Sequence, residues 1–113
     1  MPVLARAIEA AGISTVMVTA MPETGERLGV PRIVGVEFPF GHTLGHAGDG
    51  EEQMRVVRDA LRVLRDARQP NTVEHLPYEW PDVERWKQGW HPSEPAPIIA
   101  WLIEQRRRQA AEK

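Results

Sequence analysis

The sequence of 113 residues contains no cysteine. A chain without cysteine forms no disulfide, no thiolate zinc site and no covalent intermediate on a thiol. Also missing are the roughly 18 apolar residues of a membrane span and the basic and apolar regions of a signal peptide. We therefore expect a cytoplasmic protein that has no membrane partner.

An excess of positive charge is absent as well, because the formal net charge is −2. The chain therefore has no general attraction for phosphate backbones. The one basic cluster, Arg106–Arg108, is more typical of a solvated helix end than of a nucleic-acid site. The glycines match neither the P-loop nor the dinucleotide-binding pattern. The sequence thus predicts neither a nucleic-acid partner nor a nucleotide cofactor.

What the sequence does contain is an alternation of amphipathic helices and β-branched runs. The predicted helices span residues 3–11, 22–28, 51–67 and a last segment that starts at Ile98. The predicted strands span residues 13–19 and 32–38, with an edge strand over 72–76. This order predicts an α/β fold, a small Rossmann-like parallel sheet with flanking helices.

The composition changes near Gln69 and Pro70, where an apolar helix gives way to a segment rich in tryptophan and proline. We therefore predict an α/β domain over 1–69 and an irregular tail over 70–113 that ends in a helix and packs on this chain or on a partner chain. Tryptophan is favoured at interface anchors. The predicted interface residues are Trp80, Trp86, Trp90 and Trp101. The alternative is that these rings pack back on the helices of the same chain.

The predicted sheet is incomplete by itself. Two clear strands and one edge strand leave both edges open and much apolar surface uncovered. In addition, the first predicted helix has no strand before it in this sequence. A second protein subunit or a homo-oligomer would complete such a sheet.

Three segments of the sequence resemble the selenoprotein B family, the B-type subunits of glycine, sarcosine, betaine and D-proline reductases and their relatives. The segments are Ala7–Thr19, Met21–Arg32 and Val36–Gly45. Within the last of them, the run Phe38-Pro39-Phe40-Gly41 carries most of the resemblance, which covers roughly residues 3–67 and extends to tryptophan–proline pieces of the tail. The resemblance implies a Rossmann-like fold and reductive cleavage of a bond in a small substrate.

In that family the redox residue is a selenocysteine or cysteine placed just before the helix that matches residues 3–11. Because this sequence contains no cysteine, none of its positions takes that role. A helix N-terminus is where a thiolate or selenolate is stabilised. Either a separate chain supplies the redox residue or this protein has lost that chemistry.

Two histidines, His42 and His46, lie four residues apart in a glycine-rich loop, defined as residues 40–50. Imidazoles and carboxylates are ligands of zinc and non-haem iron, so a divalent metal held by these histidines is one hypothesis. Without a metal, either histidine could act as a general acid or base. The alternative is that they cap backbone groups or lie in solvent.

Glu37 is the third candidate catalytic residue, because ligands of open α/β sheets bind at the carboxyl ends of strands. For the same reason, a small-molecule substrate is predicted to bind at Thr19, Phe40, Gly41 and Thr43. The ordinary alternative is that Thr19 caps the following turn and that Glu37 satisfies nearby backbone donors.

These observations lead to one main hypothesis and two alternatives. The main hypothesis is a small subunit of a heteromeric reductase-like complex, in which another chain brings the redox residue. The first alternative is an independent metal-dependent enzyme that uses the loop with His42 and His46. The second is a purely structural interaction subunit.

Overall fold

The computed structural model describes residues 1–89 and 94–111, which belong to two compact units, Met1–Pro81 and Asp82–Lys113. The elements in chain order are α1 (Pro2–Ala10), β1 (Met17–Thr19), α2 (Pro22–Arg27), β2 (Arg32–Gly35), α3 (Gly50–Asp66), β3 (Thr72–His75), α4 (Val83–Gly89) and α5 (Pro97–Ala111). The first unit holds every element up to β3. The sequence predicts an α/β domain over 1–69 and a tail over 70–113. That division into domains stays a prediction.

Three short parallel strands form the sheet, in the order β1-β2-β3. In the central strand, Ile33 is in register with Met17 of β1 and with Val73 of β3. Parallel neighbours need crossover connections, which α2 and α3 provide. The predicted α/β class, with a small parallel sheet, flanking helices and a C-terminal helix, is confirmed, and β3 is the predicted edge strand.

Apolar side chains cover the sheet on both faces. Successive strand residues point to opposite faces, and Ile33 and Val34 accordingly belong to different core clusters. The cluster beneath α3 contains Val34, Val36, Phe38, Val56, Ala60, Val63 and Leu76. The other cluster contains Ala5 of α1, Val30 and Ile33. Burial on both faces explains why two apolar residues, Ile33 and Val34, follow each other in β2 instead of alternating with polar ones.

The helix α3 follows from its sequence. Its buried residues Val56, Ala60 and Val63 recur at the spacing of one helical face. Asp49 is the N-cap, where its Oδ1 accepts the backbone N–H of Glu52 at 3.0 Å. The predicted helix over 51–67 therefore agrees with the structure to within one residue at each end.

A glycine inside α2 has a packing reason. A Cβ on Gly25 would lie 2.6 Å from the Met17 methyl carbon and 2.9 Å from Cδ1 of Ile33. The helix can approach the sheet this closely only where no side chain intervenes.

The first two strands are shorter than predicted, and a helix lies where irregular structure was expected. Pairing along β2 ends at Gly35, because the residues in register with it, Thr19 and His75, are the last residues of β1 and β3. Before β1, the backbone N–H of Thr15 donates to Glu9 rather than to a strand. The helix α4 forms in a stretch without proline between Pro81 and Pro92. None of the helices in the described ranges has the length and apolar character required to cross a membrane.

Candidate functional site

The loops that follow β2 and β3 meet through the ring of Trp80. This ring stacks on His46 of the glycine-rich loop, with centroids 3.8 Å apart and planes 7° apart. The His42 ring lies at 5.1 Å from the same indole, and Phe38 meets it edge-on at 5.5 Å. We call these four residues the aromatic cluster. It follows the carboxyl ends of parallel strands, the end of open α/β sheets that binds ligands.

His46 is anchored to the first turn of α3 at three points. Its backbone N–H donates to Oε2 of Glu52 at 2.6 Å, and its ring Nδ1 lies 2.8 Å from the same oxygen. Its carbonyl accepts from Nε2 of Gln53 at 2.8 Å. The loop around His46 is therefore held by side chains of the helix that follows it.

The charge of Glu52 and the glycine at position 45 both favour the contact between Glu52 and His46. The backbone N–H of His46 is the main cause of a lowered Glu52 pKa, and its imidazole adds to the effect. Gly45 has φ +118°, and a Cβ there would lie 2.5 Å from Oε2 of Glu52. A side chain at position 45 would therefore push the carboxylate away, so this position needs glycine for both backbone and space.

The predicted site residues do not all come together. His42 and His46 both contact the ring of Trp80, whereas Glu37 is exposed and has no hydrogen bond or ion pair to any described residue. Thr19 accepts the backbone N–H of Met21 at 3.0 Å through its hydroxyl, which is the capping role considered as its alternative. The catalytic role of Glu37 and the substrate-binding role of Thr19 stay predictions.

The other predicted substrate-binding residues lie in the glycine-rich loop. Phe40 is 56% exposed, Gly41 is exposed with φ +88°, and Thr43 is half-buried. Exposure leaves Phe40 and Gly41 accessible to a ligand. Their role in binding a substrate also stays a prediction.

A metal centre finds little support in the geometry. Across residues 1–89 and 94–111, no three or more His, Asp or Glu side chains are grouped as metal ligands. His46 directs Nδ1 to Glu52 and its ring face to Trp80. Because the arrangement supplies no third ligand, we derive no chemistry through a metal.

The predicted interface tryptophans differ in their surroundings. Trp80 is half-buried and packs against the core beneath α3, as the same-chain alternative expected. Trp101 on α5 is 56% exposed. The side chain of Trp86 and all of Trp90 lie outside the described residues. An interface role for these tryptophans stays a prediction.

An apolar groove runs along the outer edge of β1. It has a volume of about 230 Å³ and is lined by Met1, Leu4, Ala5 and Ile8 of the α1 side and by Thr15, Val16, Met17 and Val18. Leu4 is 51% exposed and Val3 beside it is 77% exposed. Within the described part of the chain, the β1 edge therefore combines strand backbone that no further strand pairs with and apolar side chains that line an open groove.

A second cleft, of about 360 Å³, also borders Glu52. It is lined by Glu52, Arg55, Pro77, Tyr78 and Glu79. The Tyr78 hydroxyl donates to Oδ2 of Asp59 at 2.5 Å, and this hydrogen bond is the main cause of a raised Tyr78 pKa. The Arg55 guanidinium carbon lies 5.7 Å from the centre of the Tyr78 ring. This cleft was not predicted from the sequence.

Glu52 was likewise missed, although the sequence contains a signal for it. Asp49 and Glu52 stand three residues apart at a helix start, the spacing of a capping box. In that motif the glutamate reaches back to the N-cap backbone, whereas here it reaches three residues further, to His46.

The chain is similar to a subunit of D-proline reductase. It is 32% identical over 78 residues to D-proline reductase subunit gamma of Acetoanaerobium sticklandii. The match covers 69% of this chain and 32% of that protein, so the chain spans about a third of the length of the relative. No protein-family model and no solved structure matches the sequence.

This similarity supports a relationship to subunits of reductases, as the resemblance in the sequence implied. The finer assignment to the selenoprotein B family stays a prediction.

Proposed function

We propose that this chain is a small subunit of a heteromeric reductase complex of the selenoprotein B type, in which another chain carries the redox-active cysteine or selenocysteine. The observation that carries the proposal is the similarity to D-proline reductase subunit gamma in a chain that has no cysteine. Thiolate or selenolate chemistry needs a group that this sequence does not contain. We expect a partner chain to supply this residue.

The contribution of this chain is a binding surface at the carboxyl end of the sheet. The aromatic cluster and the adjoining glycine-rich loop offer stacking surfaces and two imidazoles to a small substrate. D-proline, which the name of the relative supplies, is the first compound to test.

The apolar groove along β1 supports a protein partner. A parallel sheet of three strands buries little surface by itself, and an unpaired apolar edge is a template for another chain. We expect the partner to cover this edge. Pairing between two copies of this chain is the competing arrangement.

The test is the native mass of the protein purified gently from its own source, with mass spectrometry of every chain that accompanies it. We expect a second chain that contains a redox cysteine or selenocysteine. A monomer or a homo-oligomer alone would contradict the proposal.

Thiol alkylation then locates the chemistry. Iodoacetamide, which alkylates thiols, should not modify this chain in that way, because the chain contains no cysteine. After reduction, treatment of the partner before reassembly should abolish D-proline reduction, whereas treatment of this chain alone should have no effect. Equal loss from treating either chain would contradict a partner-borne redox residue.

A further inference from the structure

We infer that His46 is the proton-accepting histidine of this site, and that Glu52 is the positioning residue that keeps its Nε2 available. Both residues lie at the carboxyl end of the sheet, and the aromatic cluster holds the ring of His46 in place. His46, and not His42, is thus the base, and Glu52 acts through it.

The position of the ring proton follows from hydrogen-bond chemistry. An ionised carboxylate only accepts hydrogen bonds, so the 2.8 Å contact to Glu52 requires a proton on Nδ1 of His46. A neutral imidazole with its proton on Nδ1 has a lone pair on Nε2. The lowered pKa of Glu52 agrees with a carboxylate that stays ionised near neutral pH.

The ring is also fixed in orientation. Trp80 stacks on one face at 3.8 Å, which opposes rotation of the imidazole about its Cβ–Cγ bond. Two backbone contacts, from His46 N–H to Glu52 and from Gln53 to the His46 carbonyl, fix the residue itself. A general base held in this way needs little reorganisation before it accepts a proton.

The ring remains accessible. The side chain of His46 is 43% exposed, compared with 19% for Glu52, so the imidazole is more accessible to solvent than the carboxylate that positions it. Within the described residues, Nε2 of His46 has no hydrogen-bond partner. The titratable groups near this contact are Glu52 itself, Asp49, which acts on Glu52 from the helix start, and His42, which contacts the same Trp80 ring.

His42 lacks this arrangement. It contacts Trp80 at 5.1 Å with its plane tilted by 45°, and no carboxylate of the described residues holds its ring. Its backbone carbonyl accepts from Gly45 in a turn. We therefore assign to His42 a packing role beside Trp80.

The proton position can be measured on the isolated chain, whether or not the reductase proposal holds. The probe is a long-range proton–nitrogen spectrum of chain labelled with ¹⁵N-histidine at about pH 8.5, where an ordinary imidazole is neutral. The His46 signals are assigned by their loss in His46→Gln. We expect a protonated Nδ1 and an unprotonated Nε2, and a proton on Nε2 would overturn the inference.

Variants test the role of Glu52. In Glu52→Gln the amide can both donate and accept, so we expect His46 to become a mixture of tautomers. The matched control is Glu51→Gln, an exposed neighbour on the same helical turn, which should leave the spectrum unchanged. An unchanged tautomer in folded Glu52→Gln would overturn the inference. If that variant does not fold, the spectrum of the unmodified chain decides alone.

The catalytic part of the inference rests on the proposed function and is measured in the native complex. We expect His46→Gln to lower kcat at least about 100-fold and Glu52→Gln about tenfold, with a changed pH profile for Glu52→Gln. Glu51→Gln should keep full activity. A larger loss from His42→Gln than from His46→Gln would overturn the assignment. If no complex exists, the reductase proposal fails while the tautomer result still stands.

Discussion

The two edges of the sheet are chemically different, and the difference indicates the direction in which the sheet can grow. The β1 edge borders the apolar groove that Leu4 and Met17 help to line. At the β3 edge, Glu74 forms an ion pair with Arg62 of α3, which also lies 3.6 Å from Asp59. Charged side chains on an edge strand discourage further pairing. The β3 edge is thus protected by an ion pair of its own chain, whereas no charged side chain of the described residues protects the β1 edge in this way.

The largest expected effect comes from the core that both edges share. Phe38 is 1% exposed, packs beneath α3 and contacts Trp80, so Phe38→Ala should lower the free energy of unfolding by about 3–5 kcal/mol. Phe40→Ala is the matched control, because Phe40 is 56% exposed, and it should cost less than about 1 kcal/mol. Urea denaturation measures both. Equal losses of stability in the two variants would mean that Phe40 is as much a part of the core as Phe38.

A charge placed in the groove tests the β1 edge. Leu4→Lys should weaken binding of the proposed partner about 30-fold, a typical loss of about 2 kcal/mol at an interface anchor. The isolated chain should keep its stability to within about 0.5 kcal/mol. Binding is measured by titration, with Leu61→Lys as control because Leu61 is 55% exposed on α3. Equal weakening by both variants would argue against the groove as the binding surface.

Removing the charge at β3 should make the two edges more alike. Glu74→Val breaks the half-exposed ion pair with Arg62, and such surface pairs contribute little to stability. It also exposes an apolar edge, so we expect self-association that increases with concentration in light scattering. Glu51→Val adds the same side chain on the exposed side of a helix and should stay monodisperse under the same conditions. A monodisperse Glu74→Val chain would mean that Glu74 does not protect the edge.

The smallest effect concerns Glu9, which ties α1 to the segment before β1. The N–H of Thr15 at 2.6 Å is the main cause of its lowered pKa, and Arg32 at 2.7 Å adds to it. A carboxyl whose folded pKa is lowered stabilises the fold above its unfolded pKa of about 4.3, and loses this effect as the pH falls through the folded value.

Glu9→Gln should therefore flatten the acid side of the stability profile, with the largest difference from the unmodified chain near neutral pH. The measurement is the free energy of unfolding as a function of pH. Glu26→Gln, at an exposed position on α2, should follow the unmodified profile. If Glu9→Gln lost stability at acid pH as the unmodified chain does, the contacts of Glu9 would not contribute to holding α1 in place.

Much of the fold could be predicted because its signals are local. The apolar spacing of Val56, Ala60 and Val63 specifies α3, and the β-branched run around Ile33 specifies a strand buried on both faces. The residues at which the strands end could not be predicted from their β-branched runs. They depend on where the partner strands stop, which is a property of the assembled sheet.

The site divides in the same way. The sequence indicated the glycine-rich loop with His42 and His46 as a candidate site. It did not reveal that Trp80, predicted as an interface residue, stacks on that loop, or that Glu52 holds His46. These contacts join segments that are apart along the chain, and no local spacing encodes them.

The sequence by itself determined the α/β alternation, the glycine-rich loop after β2, and the absence of any thiol chemistry in this chain. Only the tertiary structure decided which histidine is held by a carboxylate and which sheet edge is open. The physical reason is that propensity and periodicity act within a few residues. Hydrogen bonds to Glu52, stacking on Trp80 and the exposure of β1 exist only once distant segments have packed together.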